Sequence, residues 1–552
     1  MKKSKHRPRL IGEEDSSVIG HRPPPLYLDE YLRSILPTFT KNQPPIWPPD
    51  VFALCMAPLW KSTAYTSVLN HWPPGGVASS EWTKLIRNGA RKWRAGWSQK
   101  KIPSEVASRW REAFHDTAFP LLRLPERKRS CELLLELAAL ADEASAGLGI
   151  PSEGIEESID EILFAVEGYE RLRKTAKGGS TLCSVIDASR ARVLPKMHCP
   201  QSGLTIRSLS HHLAFLFSDE IKPVWNQWSG LDVDYHFNLL VVPRPSAVTP
   251  NQFRSEVPLK GEMSNIDIDH FGFFSFDHLD TCKPTIADIM NLLRSAKKDC
   301  GNIHGVVLPE LALSESDYGL LRNKLERKKV FLIAGVGTPG SKSRHAKNEV
   351  RVSFPLYRDA VQRKHHRWKL EERQITQYAL GGRLDAEKQW WEHISVEDRT
   401  LNFFSLLPWL VLTPLVCEDL ARPDPVGDLV RAVGPNLVIA LLMDGPQLKE
   451  RWSARYATTL ADDPGSSVLT VTSAGMAKLS RPHGSAPSRD PVIALWKDAK
   501  SGNQVEISLP DGYDGVVLSL SRRYAEEWSA DGRSDGGTSG YPSLTGIFPV
   551  KL

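Results

Sequence analysis

Three kinds of side chain that could carry out chemistry stand at or near the ends of apolar segments in the second half of the sequence. Glu310 ends the run VVLP, and Cys417 follows the run VLTPLV. Between them lies the basic segment QRKHHRWKLEE, residues 362–372. In α/β proteins the reactive groups collect just beyond the carboxyl ends of the strands. A carboxylate, an amine and a thiol brought together there would suit nucleophilic catalysis.

Each of these features also has a structural interpretation. A carboxylate that follows a strand often caps the next helix, as Glu310 would. A cysteine at the end of an apolar strand is usually a small buried hydrophobic residue, as Cys417 would be. A charged run such as residues 362–372 is commonly a solvated surface. The combination of the three, rather than any one of them, favours a functional site.

The surrounding sequence predicts an α/β layered domain that would position these residues. From Tyr235 onward, apolar runs alternate with amphipathic segments, which is typical of buried strands with helices on the faces of the sheet. The first segments of this pattern are HFNLLVVP, TIADIMNLLRSAKKD, HGVVLPE, SESDYGLLRNKLERK and VFLIAGVGTP. The pattern continues with PWLVLTPLVCED, NLVIALLM, RWSARYATTLADD, SSVLTVTSAG and DGVVLSLS.

The first half of the sequence predicts a helical unit. Apolar residues recur three and four apart between Tyr27 and Tyr169, for example in SCELLLELAALADEASAGLG, which ends on glycines as helices do. Between residues 174 and 230 the pattern is weaker. One helix is expected there, capped by Thr205 or Ser208 and carrying His211 and His212. Because adjacent histidines point to different helix faces, this pair predicts packing rather than a metal site.

The division of the chain follows from these patterns and from its length. At 552 residues, with 41% hydrophobic and 24% charged residues, two domains are expected. We predict a flexible basic tail (1–25), a mainly helical domain (26–230) and an α/β domain (231–552). The net charge of +5 neither requires nor excludes nucleic acid.

The sequence also indicates a compartment and a set of ligands. No signal peptide or membrane-spanning run is apparent. The seven cysteines contain no CxxC pair, so a reducing cytosol and hence a cytoplasmic location are expected. No glycine-rich phosphate loop, dinucleotide fingerprint or HExxH metal motif occurs, and no cofactor or metal is expected.

The candidate residues lie in motifs that resemble those of the nitrilase, or carbon–nitrogen hydrolase, superfamily. VVLPEL matches the glutamate motif at Glu310, and PLVCEDL matches the cysteine motif at Cys417 and Asp419, with Glu418 where an aromatic residue is frequent. The resemblance covers roughly Asp232 to the C-terminus. It implies a four-layer α-β-β-α sandwich and hydrolysis or transfer of non-peptide C–N bonds, and it implies a homo-oligomer.

The same resemblance identifies a lysine and a second glutamate. Lys364 has His366 two residues later and Glu371 and Glu372 at the family's spacing, whereas Lys369 has neither. Lys364 is therefore preferred. The segment GGRLDAEKQWWEHISVEDRT looks like an insertion, because it lengthens the interval from the lysine to the cysteine.

The resemblance implies a role for each residue. Cys417 would be the nucleophile, Glu310 the general base, and Lys364 the oxyanion ligand together with the backbone N–H of Glu418. Glu372, or else Glu371, would position the lysine. Three further residues would either line the pocket and recognise a polar or aromatic substrate or pack against the predicted insertion: His365, His366 and Trp368. The expected activity is thiol-dependent hydrolysis of an amide or a nitrile.

A second interpretation gives the protein a binding role. In the segment EWTKLIRNGARKWRAGWSQKK, basic residues alternate with Trp82, Trp93 and Trp97, as in proteins that bind nucleic acid through phosphates and base stacking. An ordinary amphipathic helix has the same pattern. The protein would then be a nitrilase-like sensor or scaffold, resembling those in prokaryotic defence systems, with the helical domain binding a partner protein or nucleic acid.

Overall fold

The computed structural model describes residues 25–69, 72–73, 76–150, 158–174, 178–197, 205–217, 220–228, 230–233, 235–259, 267–277, 284–341, 343–397, 399–480 and 490–552. All but the last residue of the predicted N-terminal tail lies outside the described residues. In the described part no helix combines the length and the apolar character needed to cross a membrane.

The first described part of the chain is helical, as predicted. The long helix α6 is buried along most of its length, because α2, α4 and α5 pack around it. This position explains why its sequence is apolar on nearly every face. The helices of this unit are α1 (Leu28–Ile35), α2 (Pro48–Lys61), α3 (Tyr65–Leu69), α4 (Ser79–Ala95), α5 (Ser104–Ala113), α6 (Lys128–Ala144) and α7 (Ile159–Lys174).

The segment that follows contains strands that the sequence did not predict. β1 (Arg192–Pro195) and β2 (Leu213–Leu216) form an antiparallel pair, and β3 (Lys222–Gln227) joins a sheet of the second domain next to β13 (Thr400–Leu407). The predicted helix carrying His211 and His212 is wrong. Thr205 caps only a short 3₁₀ turn, Ile206–Leu209, and the two histidines precede β2.

The α/β part is built on two seven-stranded sheets. Sheet A has the strand order β10-β9-β8-β7-β4-β19-β20, with β4, β7 and β8 parallel. Its strands are β4 (Phe237–Val241), β7 (Gly305–Ser314), β8 (Phe331–Thr338), β9 (Lys347–Ser353), β10 (Ala360–Arg363), β19 (Gly515–Ala525) and β20 (Ser539–Val550).

Sheet B has the order β18-β17-β16-β15-β14-β13-β3, with β14, β15 and β16 parallel. These three central strands are buried at every position, which is why they read as continuous apolar runs. The strands not yet given are β14 (Leu410–Val416), β15 (Leu437–Leu442), β16 (Ser467–Thr472), β17 (Val492–Lys497) and β18 (Gln504–Ser508).

The two sheets pack face to face and helices cover their outer faces. β7 contacts β15 and β16 across the interface between the sheets. α8 and α9 lie on sheet A, and α12 and α13 on sheet B. The predicted α-β-β-α order is therefore confirmed. These helices, with α11 before β15, are α8 (Ile286–Cys300), α9 (Glu315–Glu326), α11 (Asp428–Val433), α12 (Trp452–Asp462) and α13 (Ala474–Leu479).

A small third sheet lies at one end of the sandwich. Its strand order is β11-β12-β6-β5. The segment interpreted as an insertion, residues 381–400, contributes the strand β12 to this sheet. The strands are β5 (Phe253–Glu256), β6 (Phe271–Phe276), β11 (Lys369–Leu370) and β12 (Gln389–Glu392), and the helix α10 (Glu372–Gln377) lies between the last two.

Candidate active site

A backbone bulge positions Glu310. Leu308 pairs with Ala334 and Leu313 with Val336, so residues 309–312 bulge out opposite Gly335 alone. A Cβ atom at Gly335 would lie 2.4 Å from the carbonyl oxygen of Pro309 and 2.5 Å from the Cα of Glu310. The bulge that carries Glu310 therefore requires a glycine on the neighbouring strand.

The backbone is left-handed directly after Glu310 and at Cys417. Leu311, directly after Glu310, has φ of 52°, and Cys417 itself has φ of 47°. Non-glycine residues rarely adopt this conformation, and it is found preferentially where the fold fixes a functional group. At Cys417 it marks the abrupt change from β14 to a 3₁₀ turn, Cys417–Leu420, and the cysteine is buried there.

Lys364 lies at the centre of a buried network of charges. Its ammonium group donates to Glu310 Oε1 at 2.9 Å and to Glu392 Oε2 at 2.6 Å. The amide of Asn348 donates to Oε1 of each of the same two glutamates at 2.7 Å. Every member of this set is at most 5% exposed. One cation and one amide thus hold two buried carboxylates side by side.

Asp419 fixes the backbone beside the lysine. Its carboxylate accepts hydrogen bonds from the backbone N–H groups of His365 and His366 at 3.0–3.1 Å, and it lies 2.9 Å from the His366 Nδ1. The burial of Asp419 alone would raise its pKa, but the two imidazoles outweigh burial and lower the pKa to about 2. Because Asp419 follows Cys417 by two residues, it links the cysteine turn to the lysine segment.

Some of the predicted site residues lie together in the structure, and others lie apart from them at the surface. The structure brings Glu310 and Lys364 together, and both act on the pKa of the Cys417 thiol. Glu372 does not join them, because it is exposed at the start of α10, and Glu392 contacts the lysine instead. The rival lysine, Lys369, forms an ion pair with the exposed Glu371.

The three candidate pocket residues have structural contacts. His365 is buried, and its Nε2 lies 2.9 Å from the carbonyl oxygen of Thr400. Trp368 packs in the core beside Tyr378, and its backbone N–H donates to Glu392 at 3.1 Å. With His366 held by Asp419, these contacts agree with the packing alternative and show how the lysine segment is held in place.

Sequence reasoning missed three residues close to Glu310, Lys364 and Cys417. Asn348 and Glu392 sit on β9 and β12, where no motif marked them; the only signal for Glu392 was its position at the end of the aromatic run QWWE. Asp444 follows β15 and acts on the pKa of Cys417. Its carboxylate accepts hydrogen bonds from the Tyr378 hydroxyl at 3.0 Å and from the Trp452 indole at 2.8 Å.

The protonation states follow from burial and charge. Burial raises the pKa of Glu310, opposed by Lys364 and assisted by Glu392. Burial and the Glu310 charge also hold the pKa of the Cys417 thiol well above its usual range, opposed by Lys364. Burial would lower the pKa of Lys364, but Glu310 and Glu392 outweigh it and raise the pKa well above its usual value. The resting site therefore has a neutral thiol next to a permanent ammonium ion.

Two buried oxygens of the site have no hydrogen-bond partner among the described residues, Glu310 Oε2 and Asn348 Oδ1. Glu310 Oε2 is buried and forms no hydrogen bond with any described residue, whereas Oε1 receives both Lys364 and Asn348. Glu392 and Asn348 also line a small cavity of about 20 Å³, which has room for about one water molecule. Glu310, Lys364 and Cys417 are not among the residues that line this cavity.

Comparison with known proteins gave structural neighbours only. No protein-family model matches the chain, and no curated protein matches it. Nit3 of Saccharomyces cerevisiae, a member of the nitrilase superfamily, is 11% identical with a TM-score of 0.34, over 52% of this chain and 90% of that one.

Two further neighbours are described in similar terms. A carbon-nitrogen hydrolase from Helicobacter pylori is 14% identical (TM-score 0.28; 55% of this chain and 90% of that one). A CN-hydrolase superfamily protein from Xanthomonas campestris is 15% identical (TM-score 0.30; 52% and 91%). A likeness this remote carries no argument about activity, which depends on the geometry of the site itself.

Proposed function

We propose that the protein is a thiol-dependent hydrolase of a non-peptide C–N bond, in an amide or a nitrile. The observation that carries this proposal is the buried, unpartnered Oε2 of Glu310 in electrostatic contact with Cys417 and Lys364. A structural ion pair has no need of a carboxylate oxygen without a partner, since such an oxygen is destabilising. A proton acceptor for the thiol needs one.

In the first step the Cys417 thiol would transfer its proton to Glu310 Oε2 as Sγ attacks the substrate carbon. The thiol is neutral at rest, so proton transfer accompanies attack rather than preceding it. The raised pKa of Glu310 makes this carboxylate a stronger base than an ordinary glutamate, which favours its acceptance of the proton.

Negative charge then develops on the substrate oxygen or nitrogen. Lys364 stays protonated and is already held by two carboxylates, so it would stabilise this charge without reorganising. The backbone N–H of Glu418, directly after the nucleophile, would be the second donor. Asn348 and Glu392 would keep the lysine directed at the reacting atoms.

An amide would then lose its amine, which takes the proton from Glu310 and leaves a thioester on Cys417. Water would give its proton to Glu310, attack the thioester and release the acid, returning the proton to sulfur. A nitrile would first add the Cys417 thiol across its C≡N bond to give a thioimidate, which would then add water and release ammonia to give the same thioester. Each proton leaves and returns through Glu310, so one carboxylate serves both half-reactions.

Intact mass spectrometry tests this proposal. The protein would be incubated with a panel of amides and nitriles and, separately, with iodoacetamide, as wild type, Cys417→Ala and Cys300→Ala. Cys300 is the matched control, because it is partly exposed and the other four described cysteines are buried.

An acyl adduct on the wild type and on Cys300→Ala that is missing from Cys417→Ala would support the hydrolase. If no substrate acylates the protein and Cys417 reacts no faster than the other cysteines, the hydrolase proposal is wrong and the sensor or scaffold interpretation gains. The cytoplasmic location and the homo-oligomer stay predictions from the sequence.

A further inference from the structure

The helical unit contains a cavity of about 500 Å³ that has no part in the proposed chemistry. It lies among the segment between α1 and α2, the end of α4, and α5 and α7. This volume is in the range of sites for small organic ligands. Four aromatic residues line it: Phe39, Trp47, Trp97 and Trp110.

The aromatic walls are held in place by hydrogen bonds and ring contacts. The indole N–H of Trp47 donates to the carbonyl of Leu182 at 2.7 Å, and that of Trp110 donates to the carbonyl of Thr40 at 3.1 Å. Trp97 packs on Trp47 with 4.8 Å between ring centroids. Since both indole donors are already used, these two residues offer a ligand apolar ring surface.

A buried carboxylate in the same lining has an oxygen without a partner. Asp50 is fully buried, and its Oδ1 accepts from the backbone N–H groups of Ser184 at 2.9 Å and Val185 at 3.2 Å. Its Oδ2 forms no hydrogen bond with any described residue. Burial raises the pKa of Asp50 to about 6, opposed by the neighbouring backbone N–H groups and by Arg171. The carboxylate is therefore mostly ionised at neutral pH.

The other charges around the cavity compensate one another. Arg171 forms an ion pair with Glu167 at 2.6 Å, and both residues are partly exposed at the edge. Lys100 lines the cavity but is exposed to solvent. The thiol of Cys183, whose pKa is raised mainly by burial, is a weak donor that hydrogen-bonds Asp50, and the backbone N–H of Ile186 also lowers the pKa of this aspartate. Among the described residues that line the cavity, Asp50 is thus the buried charge that forms no ion pair.

A buried carboxylate with an unpartnered oxygen is destabilising unless a cation or a donor arrives to complete it. Aromatic ring faces attract cations, most strongly when water is excluded. From this pairing we propose that the cavity is a binding site for an organic cation, an ammonium or protonated amine carried on an apolar or aromatic body. The cationic group would contact Asp50 Oδ2, and the body would lie against the tryptophans.

The tryptophans of the basic and aromatic segment around α4 pack in the core or line this cavity. Trp82 and Trp93 are buried, at 4% and 1% exposure, so neither can stack on a nucleic acid base. Trp97, two residues beyond the end of the helix, is half-buried and lines the cavity. The segment thus contributes one wall of a small-molecule site. The proposal does not depend on the reaction at Cys417.

Ligand-observed saturation-transfer NMR and calorimetry on the full-length protein test this proposal. The probes are benzyltrimethylammonium and choline as cations, with benzyl alcohol as the neutral match for the aromatic body. We expect the cations to bind the wild type and benzyl alcohol to bind at least tenfold more weakly. Asp50→Asn keeps the Oδ1 acceptor and the shape of the side chain. This substitution should weaken the binding of benzyltrimethylammonium at least tenfold.

Matched variants separate binding from folding. Asp187→Asn alters an exposed aspartate close in sequence to Ser184 and Val185, whose N–H groups contact Asp50. Trp60→Ala removes a half-buried tryptophan that does not line the cavity. Both should bind the cations like the wild type, whereas Trp97→Ala should lose most of the affinity. The proposal is overturned if neither cation binds, if benzyl alcohol binds as tightly as benzyltrimethylammonium, or if Asp50→Asn binds unchanged. Alkylation of Cys417 in every variant shows whether the proposed active site is intact, so the two proposals can fail separately.

Discussion

Two buried cations occupy similar surroundings in this protein but have different sets of contacts. Arg533 is fully buried and surrounded by carboxylates, as Lys364 is. Its Nε donates to both oxygens of Asp531 at 2.8 and 3.1 Å, and its Nη1 to Asp142 at 3.0 Å and Glu143 at 2.9 Å. Its Nη2 donates to the carbonyl of Leu209 at 2.8 Å. Each guanidinium nitrogen therefore has an acceptor.

The difference between the two clusters separates a structural charge from a chemical one. The Arg533 cluster joins the helical unit to the C-terminal hairpin, and Asp142 also accepts the backbone N–H groups of His211 and Leu213. Around Lys364, by contrast, Glu310 Oε2 lacks a partner and the neighbouring backbone is left-handed. Burial of charge alone does not identify a reactive site; an incomplete set of hydrogen bonds does so better.

The same comparison applies to the one group of potential metal ligands found among the described residues. Glu143, His211 and His212 have ligand atoms within 4.8 Å of one another. Both oxygens of Glu143, however, already face arginines, Arg533 at 2.9 Å and Arg87 at 3.4 Å. A divalent ion there would face a carboxylate whose charge is already compensated, so the group belongs to the structural cluster.

The largest effect is expected from Glu310→Gln. The amide oxygen can still accept from Lys364, so the fold should persist, but the side chain can no longer take a proton. Loss of general acid–base catalysis typically costs 10²- to 10⁴-fold. Acyl-adduct formation with the amide identified by mass spectrometry should fall by about that factor, while the unfolding midpoint changes little. An unchanged rate would remove Glu310 from the mechanism.

Arg533→Met should have the opposite effects to Glu310→Gln, a loss of stability with the reactivity of Cys417 unchanged. Removing the cation leaves the buried carboxylates of Asp142 and Asp531 without a cation and Glu143 with Arg87 alone, which typically costs about 3–5 kcal/mol of stability. Urea unfolding would measure this loss, and alkylation of Cys417 below the transition should stay at the wild-type rate. Arg523→Met, at an exposed neighbouring position, is the control and should change stability very little. If Arg533→Met is as stable as that control, the cluster is not the structural connection that its contacts suggest.

Gly335→Ala should disturb the bulge under Glu310. The new methyl group would meet the backbone of Pro309 and Glu310 at 2.4–2.5 Å, so the backbone, and not a flexible side chain, must move. A displacement of about 1 Å in an active site costs up to about 10²-fold in rate. Gly319→Ala is the matched control, since a Cβ there has no atom within 4 Å. The prediction fails if the two variants acylate at equal rates.

Acid should release the link between the cysteine turn and the lysine segment. The pKa of Asp419 is lowered to about 2 from a usual value of 3.8, so its contribution is complete above pH 3.8 and is lost as the pH falls through 2. At about 1.4 kcal/mol per pKa unit this contribution is roughly 2 kcal/mol. Stability measured against pH from 5 to 2 should fall less steeply in Asp419→Asn than in the wild type.

The sequence predicted the fold of the α/β part because its central strands are buried on both faces and read as apolar runs. It could not predict β1–β3, since these short strands have no alternation, or the turn at His211, which depends on the distant carboxylate of Asp142. At the candidate site, Lys364 and Cys417 directly follow strands, Glu310 lies in the bulge of β7, and all three stand in local motifs. Asn348 and Glu392 join the network around the lysine only through tertiary structure, so local sequence spacing could not predict their contacts.

The smallest effect is expected from Glu372→Gln, which tests whether Glu372 or Glu392 positions Lys364. Spacing assigned the positioning of Lys364 to Glu372, whereas in the structure Glu392 lies 2.6 Å from the lysine and Glu372 is exposed. Glu372→Gln should therefore leave acylation within about twofold of the wild type, as surface substitutions usually do. Glu392→Gln keeps the shape but removes one of two charges on the lysine, and a bond to a charged group is worth about 1.5–3 kcal/mol, or about 10- to 150-fold. Since both variants change Glu to Gln, only position distinguishes them, and a larger loss at Glu372 would contradict the arrangement around Lys364.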